Sequence, residues 1–361
     1  MHLALIISSL NPGGAERVLS TLANHWVDQG HKVSLITFAA PTEKPFYPLH
    51  PNIQLIQLNQ SQAATSPFKR LKNSIRRIWC LRNTVKKLNP DQILSFIEVT
   101  NITTLLATRG LKIPVIVGER THPGHYKISK FYQKLRAWSY PWAQKVVTQT
   151  QSAAGYFQNL SNLTVIPNFV LKPNKIKKVM GSVKNIISAG RLCPFKGFDT
   201  LLHSFSTLLN HHPHLTLTIY GEGSERVNLE ALIRSLKLEK KVSLPGAVQN
   251  IQEKLLESDL FIFPSRFEGF PNALCEVLAI GLPTIASNCS GNIDVVQDKI
   301  NGRLFPVGDI QALTTIALEL ISDLPQRQRL SENAKKLPQT FSPDRIYKLW
   351  DEVMEIASNM N

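Results

Sequence analysis

Cysteines and long apolar runs are both scarce in this chain. Its 361 residues include 4 cysteines, Cys80, Cys193, Cys275 and Cys289. No two of them have the short spacing that zinc-binding or disulfide motifs show. This usage is typical of a reducing compartment, so we expect a cytoplasmic location. No apolar run reaches the ~18 residues that a membrane-spanning helix needs. These absences argue against a disulfide-rich scaffold and against an integral membrane protein.

Acidic residues are missing from one long stretch, residues 44–90. The whole chain carries a net charge of +15, and residues 1–165 hold most of it, with 19 basic residues against 6 acidic ones. A charged surface is usually only solvated, but such surfaces normally mix both signs. An unmixed basic run therefore favours a polyanionic ligand or a membrane surface as the partner of the N-terminal half.

Within this run, apolar residues recur at near-helical spacing, at Phe68, Leu71, Ile75, Ile78 and Val85. The spacing predicts a basic amphipathic helix over 68–88 that packs on its domain through this apolar stripe. We expect its basic face to contact an anionic acceptor or a membrane surface, through Lys69, Arg70, Arg76 and Arg77. A second basic segment, 127–145, has interleaved aromatic residues that fit either a membrane interface or an ordinary core.

Two motifs of nucleotide chemistry are also missing. No Walker A pattern follows a predicted strand, and no D-x-D pair occurs where a metal site would be expected. The runs that are present alternate short apolar strands with helical patterns, which predicts an α/β protein. At this length we expect two domains, 1–167 joined by a final helix near 343–361, and 168–342.

The stretch 264–283 carries the clearest functional signal. It follows the apolar strand 260–263, turns at Pro264, Gly269 and Pro271, and enters a helix for which Asn272 is the candidate N-cap. Strand, loop and helix N-terminus form the usual anion site of an α/β sheet.

Two carboxylates lie close to this helix start. Glu268 is in the loop and Glu276 is about one turn into the helix. Beside a bound anion, carboxylates would accept hydrogen bonds from hydroxyl groups, and a sugar nucleotide offers both kinds of group. The alternative is that Glu268 is a solvated loop residue and Glu276 complements the helix dipole.

Two glycine loops follow other predicted strands. Gly13-Gly14 lies between a first strand and a first helix, where it forms either a tight turn or a phosphate-binding backbone. Gly190-Arg191-Leu192-Cys193-Pro194-Phe195-Lys196-Gly197 places an arginine and a lysine around one turn. Two such cations can close on a diphosphate from two sides.

The segment PSRFEGFPNALCEVLAIGLPTIAS, 264–287, resembles the E-x7-E region of the retaining glycosyltransferases of family four. Residues 190–197 resemble the G-R-L-x-x-x-K-G motif of the same family, and the resemblance covers nearly the whole chain. It implies the GT-B fold, two Rossmann-like domains that face each other across a cleft. Ser290-Gly291-Asn292 departs from the Gly-Pro or Gly-Gly step that is common in close relatives.

The resemblance also implies a reaction: transfer of N-acetylhexosamine or hexose, with retention, from a UDP-sugar to a lipid-linked or polysaccharide acceptor. It implies no cofactor and no metal, because Arg191 and Lys196 would hold the leaving diphosphate. Glu268 would bind sugar hydroxyls, and Glu276 would bind the ribose. The other implied contacts are the sugar and phosphate at Gly269, Phe270, Pro271 and Asn272, the base at Gly246, and the donor at Gly13 and Gly14. By position, His122 is similar to a catalytic histidine that lies beside the reacting sugar, and Arg120, at the end of the same predicted strand, would line the cleft and bind substrate.

Two other functions are compatible with parts of this sequence. A sugar-nucleotide epimerase shares the fold, but the E-x7-E and G-R-L-x-x-x-K-G patterns are less like that group. A non-enzymatic RNA-binding protein would fit the charge, yet the bases cluster on one predicted helix without a nucleic-acid motif. We therefore expect no nucleic-acid partner, and a peripheral location at the inner face of a membrane.

Overall fold

The chain forms two compact units in a computed structural model, which describes residues 1–60, 67–124, 128–248 and 250–355. The side chains of residues 67, 68 and 70 are outside this description. Unit 1 comprises Met1–Asn168 and Asp344–Asn361, and unit 2 comprises Phe169–Pro343.

Unit 1 is built on a parallel sheet of β1 (His2–Ile7), β2 (Lys32–Thr37), β3 (Gln54–Gln57), β4 (Gln92–Phe96), β5 (Val115–Gly118), β6 (Lys145–Thr148) and β7 (Leu163–Val165). The order across the sheet is β3-β2-β1-β4-β5-β6-β7. The central strands are apolar and buried on both faces, as parallel strands covered by helices are. Because the order reverses between β1 and β4, the loops after these strands border a topological switch point.

Five helices of unit 1 follow its strands: α1 (Gly14–Asp28), α2 (Pro67–Leu88), α3 (Glu98–Thr108), α4 (Lys130–Ser139) and α5 (Gln151–Tyr156). Two of them begin at hydroxyl caps, since the Ser129 side chain accepts from the Tyr132 N–H and that of Thr150 from the Ala153 N–H. Leu81 of α2 is fully buried in the core of the unit.

Unit 2 repeats the same topology with β8 (Asn185–Ala189), β9 (Thr216–Tyr220), β10 (Val242–Gly246), β11 (Leu260–Phe263), β12 (Thr284–Ser287) and β13 (Arg303–Phe305). The order is β10-β9-β8-β11-β12-β13, so β8 and β11 are parallel neighbours at the switch point. The predicted α/β class with two Rossmann-like sheets is confirmed.

The helices of unit 2 cover both faces of its sheet. They are α6 (Phe198–His211), α7 (Arg226–Ser235), α8 (Ile251–Glu257), α9 (Asn272–Ile280), α10 (Ile310–Ser322), α11 (Leu324–Ala334) and α12 (Leu337–Thr340). One apolar cluster contains residues of α6, α7 and α10, and another contains residues of α9 and α11. The two clusters hold the sheet between them and leave the carboxyl ends of the strands for loops.

The last described helix, α13 (Pro343–Val353), packs within unit 1. The indole N–H of Trp26 on α1 donates to Asp351 at 2.8 Å. The Trp350 ring is fully buried, and its centroid lies 5.6 Å from that of Phe96. This helix thus completes the core of unit 1.

Candidate active site

The carboxyl ends of β8 and β11 bring an opposite-charge pair together in unit 2. Lys196 follows β8 and Glu268 follows β11, and the lysine Nζ lies 2.5 Å from the Glu268 Oε1. The two residues are 72 positions apart in the chain. They meet because their strands are adjacent and parallel, so both loops leave the same edge of the sheet. The side chains are 15% and 13% exposed, which leaves them open to a ligand.

Other groups fix the orientation of this pair. The Ser265 hydroxyl donates to the same Glu268 oxygen at 2.7 Å. The Lys196 ammonium lies 4.8 Å from the centroid of the Phe263 ring, a favourable cation–π distance. Sequence reasoning missed Ser265 and Phe263, although both belong to the motif stretch or to the strand before it. The site thus holds one cation and one anion in a defined arrangement.

Gly197 allows the two loops to approach so closely. Its φ is +66°, in the left-handed region that favours glycine, and it is the N-cap residue of α6. A Cβ atom at this position would lie 2.1 Å from the carbonyl oxygen of Pro264. The glycine that follows Lys196 is therefore required where its loop crosses the end of β11.

Arg191 lies on the same loop as Lys196, beside a cavity. The arginine is exposed and lines a cavity of about 360 Å³, together with Tyr220, Ala247, Val248 and Ile251. Gly246 directly precedes this wall, and its carbonyl accepts the Gly221 N–H at 2.9 Å. The cavity therefore adjoins the predicted diphosphate loop and the predicted base-binding turn.

The start of α9 lies after the loop that carries Glu268. The prediction that Asn272 caps this helix is wrong: Asn272 is its first residue, and Pro271 occupies the cap position without a side-chain bond. Phe270 is buried, and its ring packs edge-on against Phe341 at 5.8 Å. Glu276, half-buried, lies in the second turn of α9, and Gly269 is also partly accessible. The backbone N–H groups in the first turn of α9 point toward the helix N-terminus, where they and the helix dipole can stabilise a bound anion.

The departure at Ser290-Gly291-Asn292 has a structural consequence. A Cβ atom on Gly291 would lie 2.8 Å from both the Cβ and the carbonyl oxygen of Glu268. The Asn292 amide, fully buried, donates to the Ser287 carbonyl at 3.0 Å and so holds the turn in place. The glycine of this segment thus packs directly behind Glu268.

In unit 1 the predicted residues lie after β1 and β5. Gly13 is the N-cap residue of α1, which Gly14 begins, and the Tyr47 hydroxyl donates to the Gly13 carbonyl at 3.0 Å. Arg120 is 9% exposed, and its guanidinium lies 4.5 Å from the centroid of the Phe96 ring and donates to Asn168. Burial lowers the pKa of Arg120 to about 9, against the opposing effect of a nearby carboxylate. Arg120 therefore remains a cation at neutral pH.

Both ring nitrogens of His122 contact the chain. The Gly124 N–H donates to Nδ1 at 3.2 Å, so Nδ1 is an acceptor. Nε2 lies 3.0 Å from the Ser152 hydroxyl and would therefore carry the ring proton. This arrangement orients the ring but engages the nitrogen that a general base would need.

A buried polar network in unit 1 was not predicted from the sequence. The carboxylate of Glu119 lies 3.5 Å from the Arg136 guanidinium and accepts the Tyr140 hydroxyl at 2.5 Å. Burial raises the pKa of Glu119 to about 7, even though Arg136 opposes the shift. In the aromatic-rich basic segment, of which 128–145 is described, Tyr140 belongs to the core while Trp138 is exposed.

The backbone after β4 is strained. Ile97, the N-cap residue of α3, has a φ of +75°, which is rare for a β-branched residue. Such strain tends to occur at functional sites. Ile97 follows β4 at the switch point of unit 1, so this strain coincides with the sheet edge at which ligands bind in this fold.

The predicted apolar stripe of α2 is wrong in its first half. Leu81 and Val85 are fully buried, whereas Leu71, Ile75 and Trp79 are 56%, 59% and 65% exposed. Helical residues are about 100° apart, so positions 71, 75 and 79 form a second stripe beside the buried one. The helix is long enough to extend past its supporting core, which the periodicity alone could not indicate.

The basic residues of α2 divide in the same way. Lys69 and Arg76 are exposed, whereas Arg77 donates to the Gln60 carbonyl at 2.6 Å and is partly buried. The side chain of Arg70 is outside the described part of the chain. Arg82 donates to the carbonyls of Ala107 and Arg109, so it supports the fold. Of the predicted basic face, Lys69 and Arg76 are thus accessible.

No helix in the described ranges is long and apolar enough to cross a membrane. Across those same ranges, no three or more histidine, cysteine, aspartate or glutamate residues form a group that could hold a metal ion.

Comparison with known proteins decides the family. Residues 12–170 match the family Glycosyltransferase Family 4, and residues 174–337 match Glycosyl transferases group 1. The chain is a family 4 glycosyltransferase.

This glycosyltransferase has relatives along its full length. It is 28% identical to the GalNAc-alpha-(1->4)-GalNAc-alpha-(1->3)-diNAcBac-PP-undecaprenol alpha-1,4-N-acetyl-D-galactosaminyltransferase of Campylobacter jejuni, over 99% of each chain. The sucrose-phosphate synthase of Thermosynechococcus elongatus has the same fold, with a TM-score of 0.84, 17% identity and 98% of each chain covered. Anabaena HepE, solved with UDP and glucose, matches with a TM-score of 0.78 and 19% identity, over 98% of this chain and 99% of HepE. The GT-B fold is thereby confirmed.

Proposed function

We propose that this glycosyltransferase moves a hexose or N-acetylhexosamine from a UDP-sugar to a lipid-linked glycan, with retention of configuration and without a metal ion. The observation that carries the proposal is the Lys196–Glu268 pair at 2.5 Å, beside Arg191 and its cavity. In this partly enclosed site, the two cations can hold a diphosphate and the carboxylate can accept hydrogen bonds from a sugar ring.

The donor would use each group of this site differently. Lys196 would exchange the Glu268 carboxylate for a phosphate oxygen, and Arg191 would close on the diphosphate from the exposed side. Glu268, released from the lysine, would accept hydrogen bonds from sugar hydroxyls, while Glu276 on α9 would bind the ribose. The cavity past Gly246 offers space for the base, and the UDP complex of HepE supports UDP as the nucleotide.

The two cations Arg191 and Lys196 explain how the reaction could proceed without a divalent ion. Negative charge grows on the departing diphosphate in the transition state, and Arg191 and Lys196 would stabilise it together with the N-terminus of α9. The donor phosphate itself would help to deprotonate the acceptor hydroxyl. His122 and Arg120 would then position groups in unit 1, consistent with the hydrogen bonds that orient the histidine ring.

A lipid-linked acceptor is supported by the Campylobacter relative, whose name specifies an acceptor on PP-undecaprenol. The exposed part of α2 fits a membrane-borne substrate. We call Leu71, Ile75, Trp79, Lys69, Lys72 and Arg76 the α2 interface face. Its apolar side chains are exposed beside the bases. Such a helix lies in the plane of a membrane, with its bases on anionic headgroups at the cytoplasmic side.

The donor assignment is tested by thermal melting with UDP-glucose, UDP-galactose and their N-acetylamino counterparts. A 100-fold excess over Kd stabilises the folded state by about 2.7 kcal/mol, so the matching donor should raise the Tm by several degrees. Mass analysis and the anomeric proton of the product then give the sugar and the stereochemistry. Release of UDP that depends on added acceptor distinguishes transfer from epimerisation, and absence of any donor-induced shift contradicts the proposal.

The cation assignment is tested with Arg191→Ala. We expect turnover to fall by roughly 100-fold, because the lost charge acts on the leaving group. Arg234→Ala is the matched control, since Arg234 is exposed on α7. Activity should also survive EDTA; loss of activity that magnesium or manganese restores would contradict the metal-free mechanism.

The membrane assignment is tested with Lys69→Glu, Lys72→Glu and Arg76→Glu combined. Each base contributes about 1 kcal/mol at an anionic surface, so partitioning onto phosphatidylglycerol vesicles should fall by about 100-fold or more. The control carries Lys172→Glu, Lys175→Glu and Lys178→Glu, the same charge change on exposed positions of unit 2. If both triple variants partition equally, α2 is only a solvated surface.

A further inference from the structure

We propose that unit 2 carries a binding subsite for a neutral pyranose of the acceptor glycan, in a second cavity next to the Lys196–Glu268 pair. The cavity has a volume of about 550 Å³ and lies between α6, α7 and the loop after β11. This volume falls within the roughly 300–1,000 Å³ that is typical of small-molecule sites. The inference rests on the proposed function and adds where, and through which groups, the acceptor sugar is recognised.

The apolar wall of this cavity is aromatic. The rings of Phe195 and Phe267 lie 4.9 Å apart between centroids, with 32° between their planes. Both rings are partly accessible, and Phe198 is buried behind them. A flat aromatic surface with a negative face attracts the C–H groups on one side of a pyranose ring. The wall therefore offers a stacking surface for a sugar.

The rim of the cavity is polar and carries more negative than positive charge. The Arg266 guanidinium donates to the Asp199 carboxylate at 2.6 Å, and Glu225 is a second carboxylate on the rim. Partial burial by itself would raise the pKa of Asp199, but the hydrogen bond and charge of Arg266 outweigh it, and the pKa is lowered. Both carboxylates would accept hydrogen bonds from hydroxyls and repel a phosphate. This charge favours a neutral sugar over a second nucleotide or a lipid headgroup.

The cavity shares its two turns with the proposed catalytic pair. Phe195 directly precedes Lys196, and Phe267 directly precedes Glu268. The Arg266 N–H donates to the Phe195 carbonyl at 2.7 Å, which ties the two turns together. A sugar stacked on these rings would therefore be held one residue away from the groups assigned to the donor. We infer that glycans long enough to reach the rings bind better than shorter ones.

The subsite is tested by saturation-transfer NMR on the full chain, with UDP filling the donor site. The probes are N,N′-diacetylchitobiose and maltotriose, an amino sugar and a plain hexose. We expect saturation transfer to at least one probe, and an affinity at least about fivefold lower in the double variant Phe195→Ala, Phe267→Ala. Phe46→Ala is the control, because Phe46 is an exposed phenylalanine of unit 1.

A second variant separates the rim from the donor site. Glu225→Gln keeps the rings, and its side chain contacts Asn228 rather than the Lys196–Glu268 pair. It should weaken the probe and raise the KM of a long acceptor, with kcat and UDP affinity unchanged. A KM that rises equally for the shortest acceptor would indicate a general structural effect and overturn the proposal.

The outcomes distinguish this inference from the proposed function. If UDP fails to bind in calorimetry, the proposed function itself is wrong. If UDP binds but neither sugar receives saturation, or if the ring variant binds the sugars as the parent does, only the subsite is wrong. If decanoate receives saturation from the protein and neither sugar displaces it, the cavity is a site for an acyl chain, and the proposal is likewise overturned.

Discussion

The Lys196–Glu268 pair should be strongly coupled in its effect on the stability of unit 2. We predict this from a double-mutant cycle of Lys196→Met, Glu268→Gln and the double variant. At 2.5 Å the gross Coulomb attraction is roughly 6–7 kcal/mol for an effective dielectric constant of about 20, before desolvation is subtracted. Both side chains are mostly buried, so either single change leaves the other group in poor solvation.

The expected magnitudes follow from what each variant leaves behind. Lys196→Met leaves the Glu268 carboxylate with the Ser265 hydroxyl, and we expect a loss of about 3 kcal/mol in the free energy of unfolding. Glu268→Gln keeps an acceptor for the lysine, which also lies over Phe263, and should cost about 2 kcal/mol. The double variant leaves no unpaired charge and should cost about 1 kcal/mol, which corresponds to a coupling energy of about 4 kcal/mol.

The assay can separate the two units. All five tryptophans, at 26, 79, 138, 142 and 350, belong to unit 1, so their fluorescence follows that unit alone. Far-UV circular dichroism in urea follows both units, and urea avoids the screening that guanidinium chloride introduces. We expect the pair variants to shift the dichroism transition of unit 2 and to leave the fluorescence transition in place. If the two single changes add up to the double change within about 0.5 kcal/mol, Lys196 and Glu268 are not coupled and the prediction is refuted.

Three further predictions concern single groups in unit 2. Glu276→Gln should weaken UDP binding by about 1–2 kcal/mol in calorimetry, because a charge-assisted bond becomes neutral; an unchanged affinity would remove this residue from the site. Gly197→Ala should destabilise unit 2 by at least about 2 kcal/mol and lower activity, because the new Cβ atom would clash with the Pro264 carbonyl oxygen. Gly155→Ala is the control, since a Cβ atom there would have no neighbour within 4 Å. The pKa of Asp199 is lowered in the folded protein, so its carboxylate stabilises unit 2 above the pKa of the unfolded chain, and this stability is lost as the pH falls through the folded pKa. Asp199→Asn should therefore make the stability of unit 2 less dependent on pH below about pH 4. The same pH dependence in the variant and the parent would contradict the ion pair with Arg266.

Much of this protein was predictable from local sequence. Apolar runs such as 260–263, glycine turns and helical periodicity indicate the alternating strands and helices, because those signals depend on neighbours within a few residues. The family motifs at 190–197 and 264–287 are likewise contiguous. The α/β class, the GT-B fold and glycosyltransferase activity were all predicted this way and are confirmed by the sheets and by the family matches.

What tertiary structure decided is which distant groups meet and which surfaces are covered. Lys196 and Glu268 pair because β8 and β11 are neighbours, and strand order depends on long-range packing that no local pattern encodes. The apolar residues of α2 divide into a buried and an exposed stripe, since burial depends on where the supporting core ends. The cavity of Phe195 and Phe267 lies where two turns that are far apart in sequence meet, joined by a backbone hydrogen bond.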